Sequence, residues 1–215
     1  MKRVLVINPN RSEACTAGIA AALAPFQGVA GVTARVVSTP EGPEAIYSWQ
    51  DWHAAAGPVC ARIAREAADA YVIACASDPG IEAARAATNA PVFGIFRSAV
   101  AAAAARGERF GVIAIVSASR ARHMAALRAM GLEGRLAEEV ALDVSMDTLL
   151  DPEAARERLI DAAWRCKAAG ADSVILGCTG MAHHRAAVEA AAGVAVIEPS
   201  QAGFLQAVLA ACSTA

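Results

Sequence analysis

Short apolar runs that end in small or polar residues recur along the chain, and stretches of helical composition separate them. Continuous apolar runs of this length are typical of parallel strands that are covered on both faces. The predicted strands are residues 4–7, 32–37, 71–74, 91–95, 110–116, 136–141, 172–176 and 194–197. The predicted helices are residues 14–23, 46–68 with a break at Gly57-Pro58, 79–87, 98–105, 120–130, 151–169, 179–192 and 200–212.

The order strand-helix-strand-helix-strand-helix-strand occurs twice. Right-handed crossovers between sequential strands yield a parallel sheet, so we expect an α/β fold of two similar subdomains, each a short parallel sheet flanked by helices. We predict the first from residues 1–95 plus the C-terminal helix, about 200–215, and the second from residues 96–199. A pseudo-twofold relation would place the active site in the cleft between them.

Cys75 and Cys178 each follow the third predicted strand of their half. Open α/β sheets bind ligands at the carboxyl ends of their strands. A thiolate is a competent base, so two thiols on opposite faces of a flat carbanion can invert a stereocentre without a cofactor. The alternative is that each cysteine is only a small buried apolar residue. We assign that structural role to the cysteines in helical patterns, Cys15, Cys60, Cys166 and Cys212.

Polar and small residues beside these strand ends are the remaining site candidates. The amides of Ser77-Asp78 and Thr179-Gly180 are placed to stabilise a developing enolate oxygen. Asp78 is equally a candidate helix cap, and Glu198 either orients a substrate amide or caps the last helix. His183 and His184 are expected on a solvated helix face. The predicted substrate-binding residues are Asn8, Arg11, Ser12, Ala76, Ser77, Asp78, Ser117, Thr179, Gly180 and Glu198.

Composition excludes several classes of protein. The 215 residues are 56% hydrophobic and carry a formal net charge of −2 without long charged runs, which favours a small-molecule substrate over nucleic acid or membrane. The cysteines and histidines lack zinc spacing, and no GxGxxG indicates a dinucleotide, so we predict neither metal nor cofactor. We expect a cytoplasmic protein with reduced thiols, and a homo-oligomer is compatible with its apolar helices.

Five motifs resemble the aspartate/glutamate/hydantoin racemase superfamily, and within it the hydantoin and allantoin racemase branch. They are Ile7-Asn8-Pro9-Asn10, Ala74-Cys75 with Asp78-Pro79-Gly80, Gly94-Ile95 with Gly107-Glu108-Arg109-Phe110, Leu176-Gly177-Cys178-Thr179-Gly180-Met181 and Ile197-Glu198-Pro199. The resemblance implies a cofactor-independent, two-domain α/β enzyme. It makes Cys75 and Cys178 the acid/base pair and Asn8 a substrate contact in the first loop.

Four positions in three motifs depart from the pattern of that branch. Arg11 replaces a threonine, Ala76 and Ser77 replace phenylalanine and glycine, and Glu198 stands where aspartate is common. An arginine near the site could clamp a carboxylate, and loss of the phenylalanine enlarges the expected pocket. These departures bear on the identity of the substrate rather than on the mechanism.

The leading hypothesis is racemisation of a 5-substituted hydantoin or related ureide such as allantoin. An amino-acid racemase or a maleate cis-trans isomerase is the second hypothesis, and a covalent adduct on Cys75 would mark the isomerase. The related decarboxylases resemble this pattern but have only the second cysteine, at the position of Cys178. The presence of both cysteines therefore argues against a decarboxylase. A non-catalytic protein that binds a ureide or dicarboxylate is the third hypothesis.

Overall fold

A computed structural model describes residues 2–151 and 153–213 and divides the chain into two compact units. One contains the described residues up to Ser98 together with those from Ser200 onward, and the other runs from Ala99 to Pro199. Each unit contains one four-stranded parallel sheet with helices packed against it. The prediction of two α/β units with the same order of strands is therefore confirmed.

The first sheet has the order β2-β1-β3-β4. Its strands are β1 (Lys2–Ile7), β2 (Val32–Val37), β3 (Ala70–Ile73) and β4 (Val92–Gly94). The accompanying helices are α1 (Glu13–Leu23), α2 (Trp49–Ala54), α3 (Ala56–Arg65), α4 (Ile81–Ala86) and α5 (Ile95–Arg106). The boundary between the two units falls within α5.

The second sheet repeats this order as β6-β5-β7-β8. Its strands are β5 (Phe110–Ala114), β6 (Leu136–Ala141), β7 (Ser173–Gly177) and β8 (Ala195–Ile197). The helices of this part of the chain are α6 (Arg120–Met130), α7 (Met146–Leu150), α8 (Arg156–Ala168) and α9 (Arg185–Ala192). The last helix, α10 (Pro199–Ser213), belongs almost wholly to the first unit.

The continuous apolar sequence of β1 reflects burial on both faces of its sheet. Successive side chains of a strand point to opposite faces, and Val4 and Val6 pack in one apolar cluster while Leu5 and Ile7 pack in another. Phe204 of α10 lies in the cluster of Val4 and Val6. The final helix thus completes the core of the first unit.

Three helix predictions were wrong in detail. The break in the second helical stretch lies at Ala55 rather than at Gly57-Pro58. The first N–H groups of a helix have no partner within it, so α3 accommodates Pro58 in its first turn without losing a hydrogen bond. The helix predicted from Asp151 begins at Arg156, and Pro152 lies outside the described residues. The sequence reasoning also missed the five-residue helix α7.

The helix predicted directly after Cys178 is the third helix prediction that was wrong in detail. This segment forms a 3-10 helix over Thr179–His184, and the α-helix begins only at Arg185. Among the described residues, no helix is long and apolar enough to cross a membrane.

Candidate active site

Asn8 and the Cys75 loop lie at the same edge of the first sheet. Ile7 of β1 pairs with Ile73 of β3, and the Ala74 N–H donates to the Ile7 carbonyl at 2.8 Å. Asn8 and Cys75 are the next residues of each chain segment. The parallel pairing thus brings the two predicted site residues to the carboxyl edge, where open α/β sheets bind ligands.

The side chain of Asn8 organises the loop after β1. It is buried, and its Nδ2 group lies within donor distance of Asn10 Oδ1 at 2.9 Å, Thr16 Oγ1 at 3.0 Å and the Ser12 carbonyl at 3.2 Å. The Asn10 N–H donates back to Asn8 Oδ1 at 3.3 Å. Asn8 therefore ties the loop to the start of α1, and its contact with substrate stays a prediction.

Arg11 and Ser12 have local partners in the same loop. The exposed Arg11 guanidinium forms an ion pair with Glu44 at 3.3 Å. Ser12 is the N-cap of α1, and its Oγ accepts a hydrogen bond from the Cys15 N–H at 3.2 Å. The hydroxyl of Ser12 thus satisfies an N–H that has no partner within the helix, and the substrate contacts of both residues remain predictions.

Cys75 begins a tight turn of buried residues. Its thiol is half-buried, and Sγ lies 3.6 Å from Ser77 Oγ. The Asp78 N–H donates to the Cys75 carbonyl at 2.9 Å, and Asp78 has a left-handed backbone with φ +49°. Ala76 and Ser77 lie between them and are buried. The hydroxyl that replaces the glycine of the related pattern therefore lies beside the thiol.

The Asp78 carboxylate caps α5 rather than the helix that follows it in sequence. Oδ1 accepts from the Phe96 N–H at 2.8 Å, and Oδ2 accepts from the Arg97 N–H at 3.0 Å and from Arg97 Nη1 at 3.2 Å. Burial raises the pKa of the Asp78 carboxyl, and these donors oppose the rise. Its place in the site is thus to hold the Cys75 loop against α5.

Gly94 allows this close approach. A Cβ atom at Gly94 would lie 2.6 Å from Asp78 Oδ2, which is inside any normal non-bonded distance. The absence of a side chain at the end of β4 is therefore a requirement of the Cys75 loop. Sequence reasoning placed Gly94 in the family motif without this physical reason.

Sequence reasoning also missed Trp52, which fastens the same loop from α2. The indole Nε1–H donates to the Ser77 carbonyl at 2.8 Å. The ring of Trp52 makes edge contacts with Trp49 and His53, at centroid distances of 5.5 and 5.0 Å. Tryptophan and serine are 25 positions apart, and no sequence signal links them.

Cys178 occupies the corresponding edge of the second sheet. Ala114 of β5 pairs with Gly177 of β7, and Cys178 follows directly. The thiol is buried, and the Met181 N–H donates to the Cys178 carbonyl at 3.1 Å. Thr179 is half-buried and Gly180 is buried, so this loop is also largely covered by other residues.

Helix α7 packs against the Cys178 loop. A Cβ atom at Gly180 would lie 2.9 Å from Met146 Sδ and 3.7 Å from Cys178 Sγ. His184 Nε2 lies 3.4 Å from the Leu149 carbonyl. Glycine at position 180 therefore permits the close packing of α7 beside the thiol.

The rings of His183 and His184 are in tilted contact, with centroids 3.9 Å apart and an interplanar angle of 39°. His184 is buried, so its expected place on a solvated helix face was wrong, whereas His183 is exposed. Burial lowers the pKa of the His184 imidazole, with a smaller contribution from the charge of His183. Partial desolvation lowers the pKa of the His183 imidazole. Both rings therefore favour the neutral form.

Ser117 and Glu198 complete the predicted residues of the second unit. Ser117 is exposed in a 3-10 turn after β5, and its N–H donates to Asp143 Oδ1 at 2.7 Å. Glu198 is buried and stands directly before Pro199, the first residue of α10. Ile197 pairs with Ile175, which places Glu198 at the same edge as Cys178. Their contacts with substrate stay predictions.

The remaining cysteines include one that is clearly a packing residue. Cys166 of α8 is fully buried, and burial together with the charge of Glu138 raises the pKa of its thiol to about 12. A Cβ atom at Gly111 would lie 2.6 Å from Cys166 Sγ.

Within residues 2–151 and 153–213, no group of three or more His, Cys, Asp or Glu side chains is arranged to hold a metal ion.

Comparisons with known proteins show the family to which this chain belongs. A family model described as Asp/Glu/Hydantoin racemase matches residues 4–207. A hydantoin racemase of Pseudomonas sp. (strain NS671) is 34% identical over 211 residues, which cover 94% of this chain and 82% of the relative. A hydantoin racemase of Paenarthrobacter aurescens is 32% identical over 206 residues, which cover 93% of this chain and 87% of the relative.

A solved structure gives the same result. Allantoin racemase from Klebsiella pneumoniae superimposes with a TM-score of 0.89 at 29% identity, covering 97% of this chain and 87% of that one. The two-unit α/β fold of this chain thus matches that of a solved racemase. The chain belongs to the Asp/Glu/hydantoin racemase family, and its enzyme class is that of the isomerases.

Proposed function

We propose that this protein racemises 5-substituted hydantoins or related ureides such as allantoin, with Cys75 and Cys178 as an acid/base pair. The observation that supports the proposal best is that each unit carries a thiol within two residues of the end of its third strand, in a loop of mostly buried residues. The relatives named as hydantoin and allantoin racemases supply the substrate class.

In the proposed reaction, one thiolate removes the proton from the stereocentre beside a ring carbonyl. The C–H electron pair moves into an enolate, and the other thiol donates a proton to the opposite face. The product has the opposite hand, and the two sulfur atoms have exchanged protonation states. No electron acceptor is needed, and the thiols exchange roles with the hand of the substrate.

Main-chain donors would stabilise the enolate oxygen in this mechanism. The Asp78 N–H is engaged by the Cys75 carbonyl and the Met181 N–H by the Cys178 carbonyl. The candidate donors are therefore the amides of Ser77, Thr179 and Gly180. The Ser77 hydroxyl, 3.6 Å from Cys75 Sγ, is a candidate to stabilise the thiolate form.

The test is proton NMR in deuterium oxide with allantoin and a panel of 5-substituted hydantoins, alongside polarimetry and subtraction of spontaneous exchange. Loss of one acid/base group lowers the rate about 10²- to 10⁴-fold. The racemisation rates of Cys75→Ser and Cys178→Ser should therefore each fall by that factor. Cys212→Ser is the matched control, because Cys212 is an exposed thiol on α10. Its rate should equal that of the wild type.

Other outcomes would replace the proposal. Turnover of L-aspartate or maleate, with no ureide turnover, would identify an amino-acid racemase or an isomerase. A covalent adduct on Cys75, detected by mass spectrometry, would identify the isomerase. Binding of a ureide without deuterium exchange would identify a non-catalytic protein. Full racemisation by either single cysteine variant would remove the two-thiol mechanism.

A further inference from the structure

The Cys75 loop is held at two points beyond the thiol. At Asp78, α5 supplies the Phe96 and Arg97 N–H groups and the Arg97 guanidinium. At Ser77, α2 supplies the Trp52 indole N–H at 2.8 Å. Ser77 is also the residue whose hydroxyl lies 3.6 Å from Cys75 Sγ. Movement at Ser77 therefore changes the surroundings of the thiol directly.

The bond from Trp52 comes from a well-defined helix terminus. Ser48 and Asp51 form a capping box at the start of α2, with the Asp51 N–H donating to Ser48 Oγ at 3.1 Å and the Ser48 N–H donating to Asp51 Oδ2 at 2.9 Å. A short helix needs such terminal bonds to persist. The capping box fixes the helical turn that carries the indole.

The second unit has a comparable arrangement built from different residues. There, α7 is the first helix after the second strand of its sheet, as α2 is in the first unit. Its Leu149 carbonyl lies 3.4 Å from His184 Nε2, and its Met146 Sδ lies close to Gly180 in the Cys178 loop. In both units, the first helix after the second strand thus supports the loop that carries the thiol.

We infer that Trp52 is a positioning residue for Cys75, acting through the Ser77 carbonyl. This inference rests on the proposed function, because the Cys75 thiol must lie in line with the C–H bond that it attacks. Trp52 has no chemical step of its own. Its indole bond fixes the orientation of the turn, so its loss lowers the rate of proton transfer more than the affinity for substrate.

The experiment compares Trp52→Phe with Trp49→Phe. Both changes remove an indole on α2, but only the first removes the bond to Ser77. Misplacement of a catalytic group by a fraction of an ångström should lower kcat about tenfold and leave KM within about twofold for Trp52→Phe. Trp49→Phe should retain wild-type kinetics.

A second readout does not depend on activity. Iodoacetamide labelling at about pH 9.5, above the ordinary thiol pKa of about 8.5, is followed for each cysteine by mass spectrometry, so that Cys178 serves as an internal reference. Local opening of the turn should raise the Cys75 to Cys178 labelling ratio about threefold in Trp52→Phe and leave it unchanged in Trp49→Phe. A general loss of folding would raise both rates together.

If Trp52→Phe does not fold, a tryptophan analogue with sulfur in place of the indole N–H is placed at position 52 instead. It keeps the ring shape and removes only the donor. Unchanged kcat, or a lowered kcat with an unchanged labelling ratio, would overturn the inference. A wild-type protein that racemises no ureide would count against the proposed function, while the labelling ratio would still decide whether Trp52 positions the loop.

Discussion

Asp172 and Arg109 form two hydrogen bonds with each other directly before β7 and β5 begin. The Asp172 N–H donates to the Arg109 carbonyl at 2.9 Å, and the Arg109 N–H donates to Asp172 Oδ2 at 2.9 Å. In the first unit, Asp69 and Arg3 make the same exchange at 2.9 and 2.7 Å. The two units therefore share this contact between an aspartate and an arginine main chain as well as a strand order.

Asp172 gives the first prediction. Hydrogen bonds from the Arg109 and Glu108 N–H groups lower the pKa of its carboxyl below the ordinary value of 3.8. At a pH near or below 4, the folded state therefore binds fewer protons than the unfolded state. The carboxylate thus stabilises the fold above about pH 4, and this stabilisation is lost as the pH falls further. Asp172→Asn should flatten the fall in the urea midpoint between about pH 4 and pH 2.

Asp161→Asn is the matched control for this measurement, since Asp161 is an exposed acid on α8 of the same unit. Its pH profile should follow that of the wild type. An Asp172→Asn profile that is parallel to the wild type would show that the carboxylate bonds contribute nothing to stability.

Gly94 gives the second prediction. A Cβ atom there would lie 2.6 Å from Asp78 Oδ2, so Gly94→Ala must displace the carboxylate that caps α5. Overpacking of this kind costs about 1–3 kcal/mol in the free energy of unfolding, which denaturant titration measures. Racemisation should fall as well, because Asp78 ends the turn that begins at Cys75.

Gly134→Ala is its control, because a Cβ atom at Gly134 meets nothing within 4 Å. That variant should retain wild-type activity and unfold within about 0.5 kcal/mol of the wild type. If Gly94→Ala were equally stable, the close approach to Asp78 would not be a constraint.

The sheets and the two thiol positions could be predicted from sequence because they depend on local patterns. Apolar runs mark strands that are buried on both faces, and a residue after a strand must lie at its carboxyl edge. Asp78 was recognised as a candidate cap, but the helix that it caps, α5, is reached only through the tertiary fold.

The parts that could not be predicted depend on contacts between distant segments. The bond from Trp52 to Ser77 spans 25 positions, and the burial of His184 depends on α7. Helix α7 itself has only five residues, too few for a periodic apolar pattern. Each of these features supports a thiol-bearing loop, so the sequence located the loops and the structure identified what holds them.

His184 gives the third prediction. Burial lowers the pKa of its imidazole below the ordinary 6.5, with a smaller contribution from the charge of His183. The unfolded chain therefore binds more protons near that pH, and the fold loses stability as the pH falls through about 6.5. His184→Gln keeps an N–H donor near the Leu149 carbonyl and should reduce the fall in the urea midpoint between about pH 7.5 and pH 5.5.

The effect should be a reduction rather than an abolition, because partial desolvation also lowers the pKa of His183. His53→Gln is the control, since His53 is an exposed histidine on α2. A steeper pH profile for His184→Gln than for the wild type would contradict the assigned sign.

Cys166 gives the fourth prediction, which separates packing cysteines from accessible ones. Burial and the charge of Glu138 raise the pKa of its thiol to about 12. At pH 8 the thiolate fraction is then about 10⁻⁴, compared with about a quarter for an ordinary thiol of pKa 8.5. Iodoacetamide should therefore leave Cys166 unmodified while it labels the exposed Cys212.

Peptide mass spectrometry measures both rates in one sample, and urea provides the positive control. Unfolding removes the burial that raises the pKa, so Cys166 in urea should react at the same rate as Cys212. Because the thiolate is the reactive species, similar rates in the folded protein would mean that Cys166 is neither buried nor inert. If Cys166 stays unmodified while Cys212 is labelled, the fold protects the Cys166 thiol. Such protection agrees with the close packing of Cys166 against Gly111.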